Sequence, residues 1–110
     1  MYHIVIHMIG EFEYLVLATA ARLGEDAYGL AIQREIKSTV DRACSIGALY
    51  TTLSRLEDKG LITTWMGQPT PERGGRPKRL VRVTSKGRAA AAKFFSTVKR
   101  ASHGLAWSVE

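Results

Sequence analysis

The sequence predicts a mainly α domain that carries one small two-stranded β wing. Four segments place apolar residues at three- and four-residue spacing, which is typical of helices with one buried face. Two short segments rich in β-branched residues flank a stretch of glycine, proline and arginine, which indicates a hairpin. The chain has 110 residues, 45% of them apolar, and this is enough for one modest core but not for two. We therefore expect one structural domain.

The first two helices are predicted from periodicity. Within residues 11–23 the apolar side chains recur at helical spacing. Within residues 28–40, Ile32, Ile36 and Val40 stand four residues apart and polar residues lie between them. These three side chains should form the inner face of the second helix, and its outer face should be solvated.

A third helix is predicted from Ile46 to about Lys59. The Ser45 hydroxyl can cap its first turn, and Gly60 can adopt the left-handed conformation that ends a helix. The expected buried stripe consists of four apolar residues, Ile46, Leu49, Leu53 and Leu56. The opposite face carries small and polar side chains that leave room for a large partner: Gly47, Ala48, Thr51, Thr52 and Arg55.

A hairpin and a last helix complete the predicted fold. Strands are expected at residues 61–66 and 80–83, and the loop 67–79 between them holds all three prolines and four basic residues. Thr84 can cap a helix that runs from Ser85 to about Trp107. This order of elements predicts a winged helix-turn-helix in residues 1–84 and a C-terminal dimerisation helix in residues 85–110 that packs on it.

The charge is distributed unevenly along the chain. The formal net charge is +6, yet residues 1–72 hold 6 basic and 9 acidic residues, while residues 73–100 hold 10 basic residues and no acid. A solvated face normally mixes charges of both signs, so a block of one sign favours contact with a polyanion. Double-stranded DNA is the partner we expect, and an RNA-binding or protein-interaction module is the alternative.

The predicted DNA contacts fall on two elements. In a helix-turn-helix the second helix enters the major groove, where its side chains reach base edges and phosphates. On that helix the candidates are Ser45, Gly47, Ala48, Tyr50, Thr51, Thr52 and Arg55. On the wing they are Arg73, Arg76, Lys78 and Arg79. Arg76 either enters a narrow minor groove or contacts phosphate, and Tyr50 could equally be half-buried packing.

Several motifs together resemble one known family. The run Gly47-Ala-Leu-Tyr-Thr-Thr-Leu-Ser-Arg-Leu-Glu-Asp-Lys-Gly-Leu-Ile62 is similar to the recognition-helix signature of PadR-like regulators. Tyr28-Gly29, the basic wing and Val83-Thr-Ser-Lys-Gly-Arg88 match in the same order, so the resemblance covers roughly residues 11–104. It implies that Tyr50 helps fix the recognition helix on the phosphate backbone and that the residues from Ser85 onward form the dimerisation helix. We expect a dimeric transcription regulator that acts as a repressor.

The last helix is expected to form the dimer interface. Its apolar residues keep an approximately heptad spacing, which leaves a stripe for a second copy of the chain. The candidate interface residues are Phe94, Phe95, Val98, Ala101 and Leu105. A small aromatic or apolar effector would bind near the large aromatic side chains Trp65, Phe95 and Trp107, unless these residues only pack the dimer seam.

Other classes of function find little support in the sequence. The single Cys44 has no evident base partner, and no phosphate loop or paired catalytic carboxylates stand out, so we expect neither an enzyme nor a cofactor. His3 and His7 have helical spacing but no third ligand nearby, so we expect no metal site. Residues 1–9 are apolar but too short for a membrane span, and we expect a cytoplasmic protein in which they extend the first helix or pack at the dimer edge.

Overall fold

The computed structural model describes residues 8–68 and 77–108 of the chain. These residues form four α-helices and two strands, as the sequence predicts. In chain order they are α1 (Glu11–Leu23), α2 (Gly29–Val40), α3 (Ile46–Asp58), β1 (Ile62–Met66), β2 (Arg79–Val83) and α4 (Ser85–Ser102). A short 3-10 turn, Gly24–Asp26, follows α1.

The core lies where α1, α2 and α3 pack on one another and on the base of the hairpin. Its largest fully buried side chains come from all of these elements: Val16, Leu17, Ile32, Ile36, Leu49, Leu56, Leu61 and Ile62. Burial of one such side chain contributes roughly 1.5 to 3 kcal/mol before the entropic cost of ordering the chain. This core holds α3 in place by one face and leaves the other face exposed.

The two strands form an antiparallel hairpin that receives one further contact at its edge. Ile62 pairs with Val83 and Met66 with Arg79 at the two ends of the ladder. Across the sheet edge, the Val81 amide donates to the Ala27 carbonyl at 2.9 Å. The turn that precedes α2 is thereby attached to the wing sheet, a contact that the sequence pattern did not indicate.

Thr84 ties the start of α4 to the start of β1. Its hydroxyl accepts a hydrogen bond from the Gly87 amide at 3.0 Å, as predicted for the cap, and donates to the Gly60 carbonyl at 2.8 Å. Its own amide donates to the Leu61 carbonyl at 3.0 Å. Gly60 has a left-handed φ of 76°, as expected at the end of α3. The orientation of α4 is therefore fixed at its first turn.

An ion pair joins the start of α1 to the end of α3. Lys59 Nζ lies 2.9 Å from Glu13 Oε2, and the Gly10 amide donates to Glu13 Oε1 at 3.0 Å. Burial raises the pKa of Glu13, but hydrogen bonds from Lys59 and Gly10 and the charges of Lys59 and Arg55 outweigh it. The pKa of Glu13 consequently lies below its ordinary value of 4.5.

The structure corrects two predictions about residues near helix ends. Gly10 occupies the N-cap position of α1, so the described residues Met8 and Ile9 precede this helix and do not extend it. Ile9 instead packs into the core. Val40 is exposed because it is the last residue of α2, directly before the left-handed Asp41 (φ 55°). Residues 1–7, including His3 and His7, lie outside the described ranges.

Candidate nucleic-acid interface

The first half of α3 presents a small, polar surface to solvent. Ser45 caps the helix by accepting a hydrogen bond from the Ala48 amide at 3.0 Å, as predicted. Gly47, Ala48 and Thr51 are exposed on the face that points away from the core. A Cβ added to Gly47 would meet no atom within 4 Å. This surface therefore leaves α3 free to enter the groove of a nucleic acid.

Two residues of α3 face the opposite way from the prediction. Thr52 is only 7% exposed, so it cannot offer its hydroxyl to a base or phosphate in this conformation. The reason is helical geometry, because position 52 lies three residues after Leu49 and four before Leu56, both fully buried. Ile46 is 41% exposed because the first turn of α3 extends beyond the core.

Tyr50 has both a packing contact and an exposed surface. A Cβ at Gly29 would lie 2.5 Å from Tyr50 Oη, so the ring reaches the first turn of α2 at a position that only glycine permits. The rest of the side chain is open to solvent. Tyr50 thus joins the two helices of the helix-turn-helix, and its hydroxyl lies beside Gly29, the first residue of α2.

The described part of the wing brings two of the predicted basic residues near the helices. Lys78 Nζ lies 4.3 Å from the centroid of the Tyr28 ring, directly before α2. Arg79 Nη2 donates to Thr64 Oγ1 at 2.9 Å and lies 3.5 Å from Glu57 Oε1. Arg79 therefore has partners within the protein. Arg73 and Arg76 lie outside the described residues.

The charge of one sign continues along the described C-terminal part of the chain. Residues 77–108 contain eight basic residues and no acid. Arg55 on α3 and Arg82 on β2 are exposed as well. Near them Glu57 is paired with Arg79, which neutralises one of the acids of α3. These exposed basic side chains suit contact with a polyanion.

The structure shortens the last helix and thereby revises the predicted stripe. Tyr14 of α1 stacks on Phe94 with ring centroids 4.9 Å apart, which anchors the first half of α4. Beyond that contact Phe95 (53%), Val98 (48%) and Ala101 are exposed. The helix ends at Ser102 because Gly104 adopts a left-handed φ of 77°. Leu105 and Trp107 lie in turns after the helix, contrary to the prediction.

Two of the three residues predicted to contact an effector, Trp65 and Phe95, line separate neighbouring grooves. A groove of about 460 Å³ is lined by Trp65, with Arg82 stacked on its indole ring at 5.1 Å. A second groove of about 330 Å³ between α1 and α4 is lined by Phe95. Arg88 lines both grooves. Trp107 lines neither of them.

Cys44 is half-buried and packs against the core. No group of three or more His, Cys, Asp or Glu residues in ranges 8–68 and 77–108 could hold a metal ion. In the same ranges, no helix is long and apolar enough to cross a membrane.

Three helices followed by a hairpin, with an open face on the third helix, define a winged helix-turn-helix protein. The model of the transcriptional regulator PadR-like family matches residues 16–93 of the chain. The chain belongs to this family of transcriptional regulators. The resemblance that the sequence motifs indicated is thereby confirmed.

The fold is also similar to solved structures. A PadR-like transcription factor from Bacteroides fragilis is 22% identical over 83% of this chain and 82% of that chain, with a TM-score of 0.66. A PadR family regulator from Eggerthella lenta is 23% identical over 86% and 82%, with a TM-score of 0.65. Bacillus subtilis PadR, solved in complex with operator DNA, is 21% identical over 77% of this chain and 46% of that chain, with a TM-score of 0.65. No curated protein was found to match the sequence.

Proposed function

We propose that this chain is a sequence-specific DNA-binding regulator that binds a pseudo-palindromic operator as a homodimer and represses transcription. The observation that carries the proposal is the exposed, small and polar first half of α3, together with exposed basic residues on α3 and on the wing. Family membership and the operator complex of the similar B. subtilis protein support it. A regulator of this kind works on chromosomal DNA in the cytoplasm, and the proposal gives it no catalytic role.

The proposed contacts divide into base readout and backbone positioning. Ala48 and Thr51 present methyl groups at the start of α3, and Arg55 on the same face reaches for guanine or phosphate. Ser45 and Gly47 allow the first turn of α3 to approach the duplex closely. Tyr50 and Lys78, together with Arg73 and Arg76 of the wing loop, contact the phosphate backbone.

The dimer is proposed to form through α4. Phe95, Val98 and Ala101 leave an exposed apolar stripe on this helix, and a second copy of the chain would bury it. A twofold dimer places two copies of α3 in successive major grooves about 34 Å apart. Repression follows because the bound dimer covers the promoter DNA that it occupies.

A small aromatic or apolar effector is proposed to release the DNA by changing the spacing of the two α3 helices. The grooves lined by Trp65 and by Phe95 have a size that suits such a ligand. Calorimetry with a panel of planar hydrophobic compounds tests this step. Absence of both heat and DNA release across the panel would remove the effector from the proposal.

The test of DNA binding compares Arg55→Ala with Arg100→Ala, an equal change of charge near the end of α4. Binding to an enriched duplex should weaken by about 5- to 150-fold for Arg55→Ala, because a bidentate arginine contributes about 1 to 3 kcal/mol. Arg100→Ala should change binding much less. Tighter retention on structured RNA than on duplex DNA would instead favour the RNA-binding alternative, since A-form and B-form grooves differ.

A further inference from the structure

One carboxylate links α3 to both strands of the hairpin. Glu57, in the last turn of α3, accepts a hydrogen bond at Oε2 from Thr64 Oγ1 of β1 at 2.8 Å. Its Oε1 lies 3.5 Å from Nη2 of Arg79, the first residue of β2. The same Nη2 donates to Thr64 Oγ1 at 2.9 Å, which closes the network. We call these three residues the wing clamp.

The wing clamp lies where the hairpin leaves the core. Nearer the core, Ile62 and Val83 are buried and fix the base of the sheet. Farther out, Met66 is exposed, and the Gly67 amide makes a ladder bond to the Lys78 carbonyl at 2.8 Å directly before the loop. Among the described residues, the wing clamp is the only set of side-chain hydrogen bonds that joins α3 to the hairpin.

We infer that Glu57 is a positioning residue that fixes the orientation of the wing relative to α3. This inference rests on the proposed function. The wing must reach the DNA backbone while α3 lies in the major groove, and the clamp therefore has a role in DNA recognition. It also assigns Arg79 to the clamp, whereas the sequence placed this residue among the DNA contacts. The clamp orders the site without touching the nucleic acid.

The clamp and simple electrostatics predict opposite effects of the same substitution. Glu57→Gln removes a negative charge from a surface that faces a polyanion, and long-range electrostatics alone would tighten DNA binding. The clamp predicts weaker binding, because glutamine forms no ion pair with Arg79 and has one acceptor oxygen for the two donors, so the wing loses its fixed orientation. The neighbouring Asp58→Asn is the matched control, since no described residue forms an ion pair with Asp58.

The first experiment needs no DNA and measures amide hydrogen exchange in the free protein by NMR. Glu57→Gln and Thr64→Val should both speed exchange of the Gly67 amide by at least about threefold, while the amides of Leu49 and Leu56 in the core stay unchanged. Asp58→Asn should leave Gly67 unchanged. Unaltered exchange at Gly67 in both clamp variants would overturn the inference, whatever the protein binds.

The second experiment measures affinity for a duplex that the wild-type protein binds. Glu57→Gln should weaken binding by about 3- to 10-fold, while Asp58→Asn leaves it unchanged or tightens it. In a Lys78→Ala background, which removes a proposed wing contact, the effect of Glu57→Gln should become smaller. Equal tightening by both acid-to-amide changes would overturn the role in recognition. A wild-type protein that binds no duplex would contradict the proposed function and leave the exchange result to decide the clamp.

Discussion

Close contacts at two glycines show how single residues set the geometry of this protein. Gly29 admits the Tyr50 ring between α2 and α3, and Gly87 admits the Leu61 carbonyl at the start of α4. A Cβ at position 87 would lie 2.1 Å from that oxygen, which is far inside van der Waals contact. Because these are backbone atoms of Leu61, directly before β1, the neighbour cannot simply move away. Both glycines therefore have a steric role.

Gly87→Ala is expected to destabilise the protein by about 1 to 3 kcal/mol or more, because an added methyl group must displace backbone. Gly47→Ala is the control, since its Cβ would meet open space and alanine is the better helix former. Urea denaturation of both variants measures the difference. Equal stability of the two variants would contradict the close packing of α4 on the hairpin.

The Glu13–Lys59 pair makes the stability of the fold depend on pH. Since the folded-state pKa of Glu13 lies below 4.5, the ionised form is favoured in the native protein. This contribution is complete above the unfolded-state pKa and is lost as the pH falls through the folded value. The protein should therefore become less stable on acidification below about pH 4.5.

Glu13→Gln should lower the free energy of unfolding at pH 7 by about 1 to 2 kcal/mol, since a charge-assisted hydrogen bond becomes a neutral one. As the pH falls, the wild-type carboxylate is protonated and the two proteins should become equally stable. Thermal or urea unfolding as a function of pH measures this convergence. A difference that stays constant over the acid range would rule out the ion pair as its cause.

At the residue scale, the sequence predicts helix caps more reliably than it predicts which side chains lie on the exposed face of a helix. Ser45 and Thr84 cap their helices as predicted, because capping depends on local sequence alone. Thr52 was assigned to the DNA face because it is polar, although its spacing from Leu49 and Leu56 placed it on the buried stripe. The pairing of Arg79 with Glu57 depends on tertiary contacts, so the sequence could not reveal it.

At the element scale, α4 connects the fold to the proposed assembly. Its first turns are held by Thr84, Gly87 and the stacked rings of Tyr14 and Phe94. The later turns carry exposed Phe95 and Val98, whose burial needs another surface. The proposed surface is the same helix of a second copy.

Val98→Glu should dissociate the proposed dimer, because a carboxylate would be buried in an apolar seam without a partner. Ser96→Glu adds the same charge to the same turn of α4 and should leave the dimer intact. Sedimentation equilibrium measures the mass of each variant. A Val98→Glu protein with the mass of the wild-type dimer would move the interface to another element.

Apolar periodicity and β-branched composition were sufficient to predict every described α-helix and strand, but they were less reliable at the ends of these elements. The heptad pattern extended α4 to Trp107, whereas Gly104 ends the regular backbone after Ser102. The His103-Gly104 pair was a visible signal for this end. The isolated β-bridge between Tyr28 and Leu80 joins residues that are far apart in the sequence, and no local sequence pattern predicts it.

At the scale of the whole molecule, charge and shape support the same function. The acidic part of the chain builds most of the three-helix core, while the uniformly basic part forms the second strand of the wing, β2, and α4. Lys78 lies beside the start of α2, the first helix of the helix-turn-helix, through its contact with Tyr28. A duplex bound to α3 would therefore also meet basic residues of the wing.

The salt dependence of binding follows from this arrangement. Lys78→Ala should weaken binding to all duplex sequences by a similar factor and lower the slope of log affinity against log salt by about 1, because a phosphate contact releases about one counterion. Fluorescence polarisation at several salt concentrations measures both quantities. A loss restricted to particular sequences would make Lys78 a base reader.

Enrichment of a random duplex pool, with the protein mass on each selected duplex recorded, tests the central claim most directly. We expect a site with twofold symmetry, half-sites about one helical turn apart and two chains on each duplex. Recovery of no sequence above salt-sensitive, non-specific binding, or of a site that holds one chain, would contradict a dimeric operator-binding regulator.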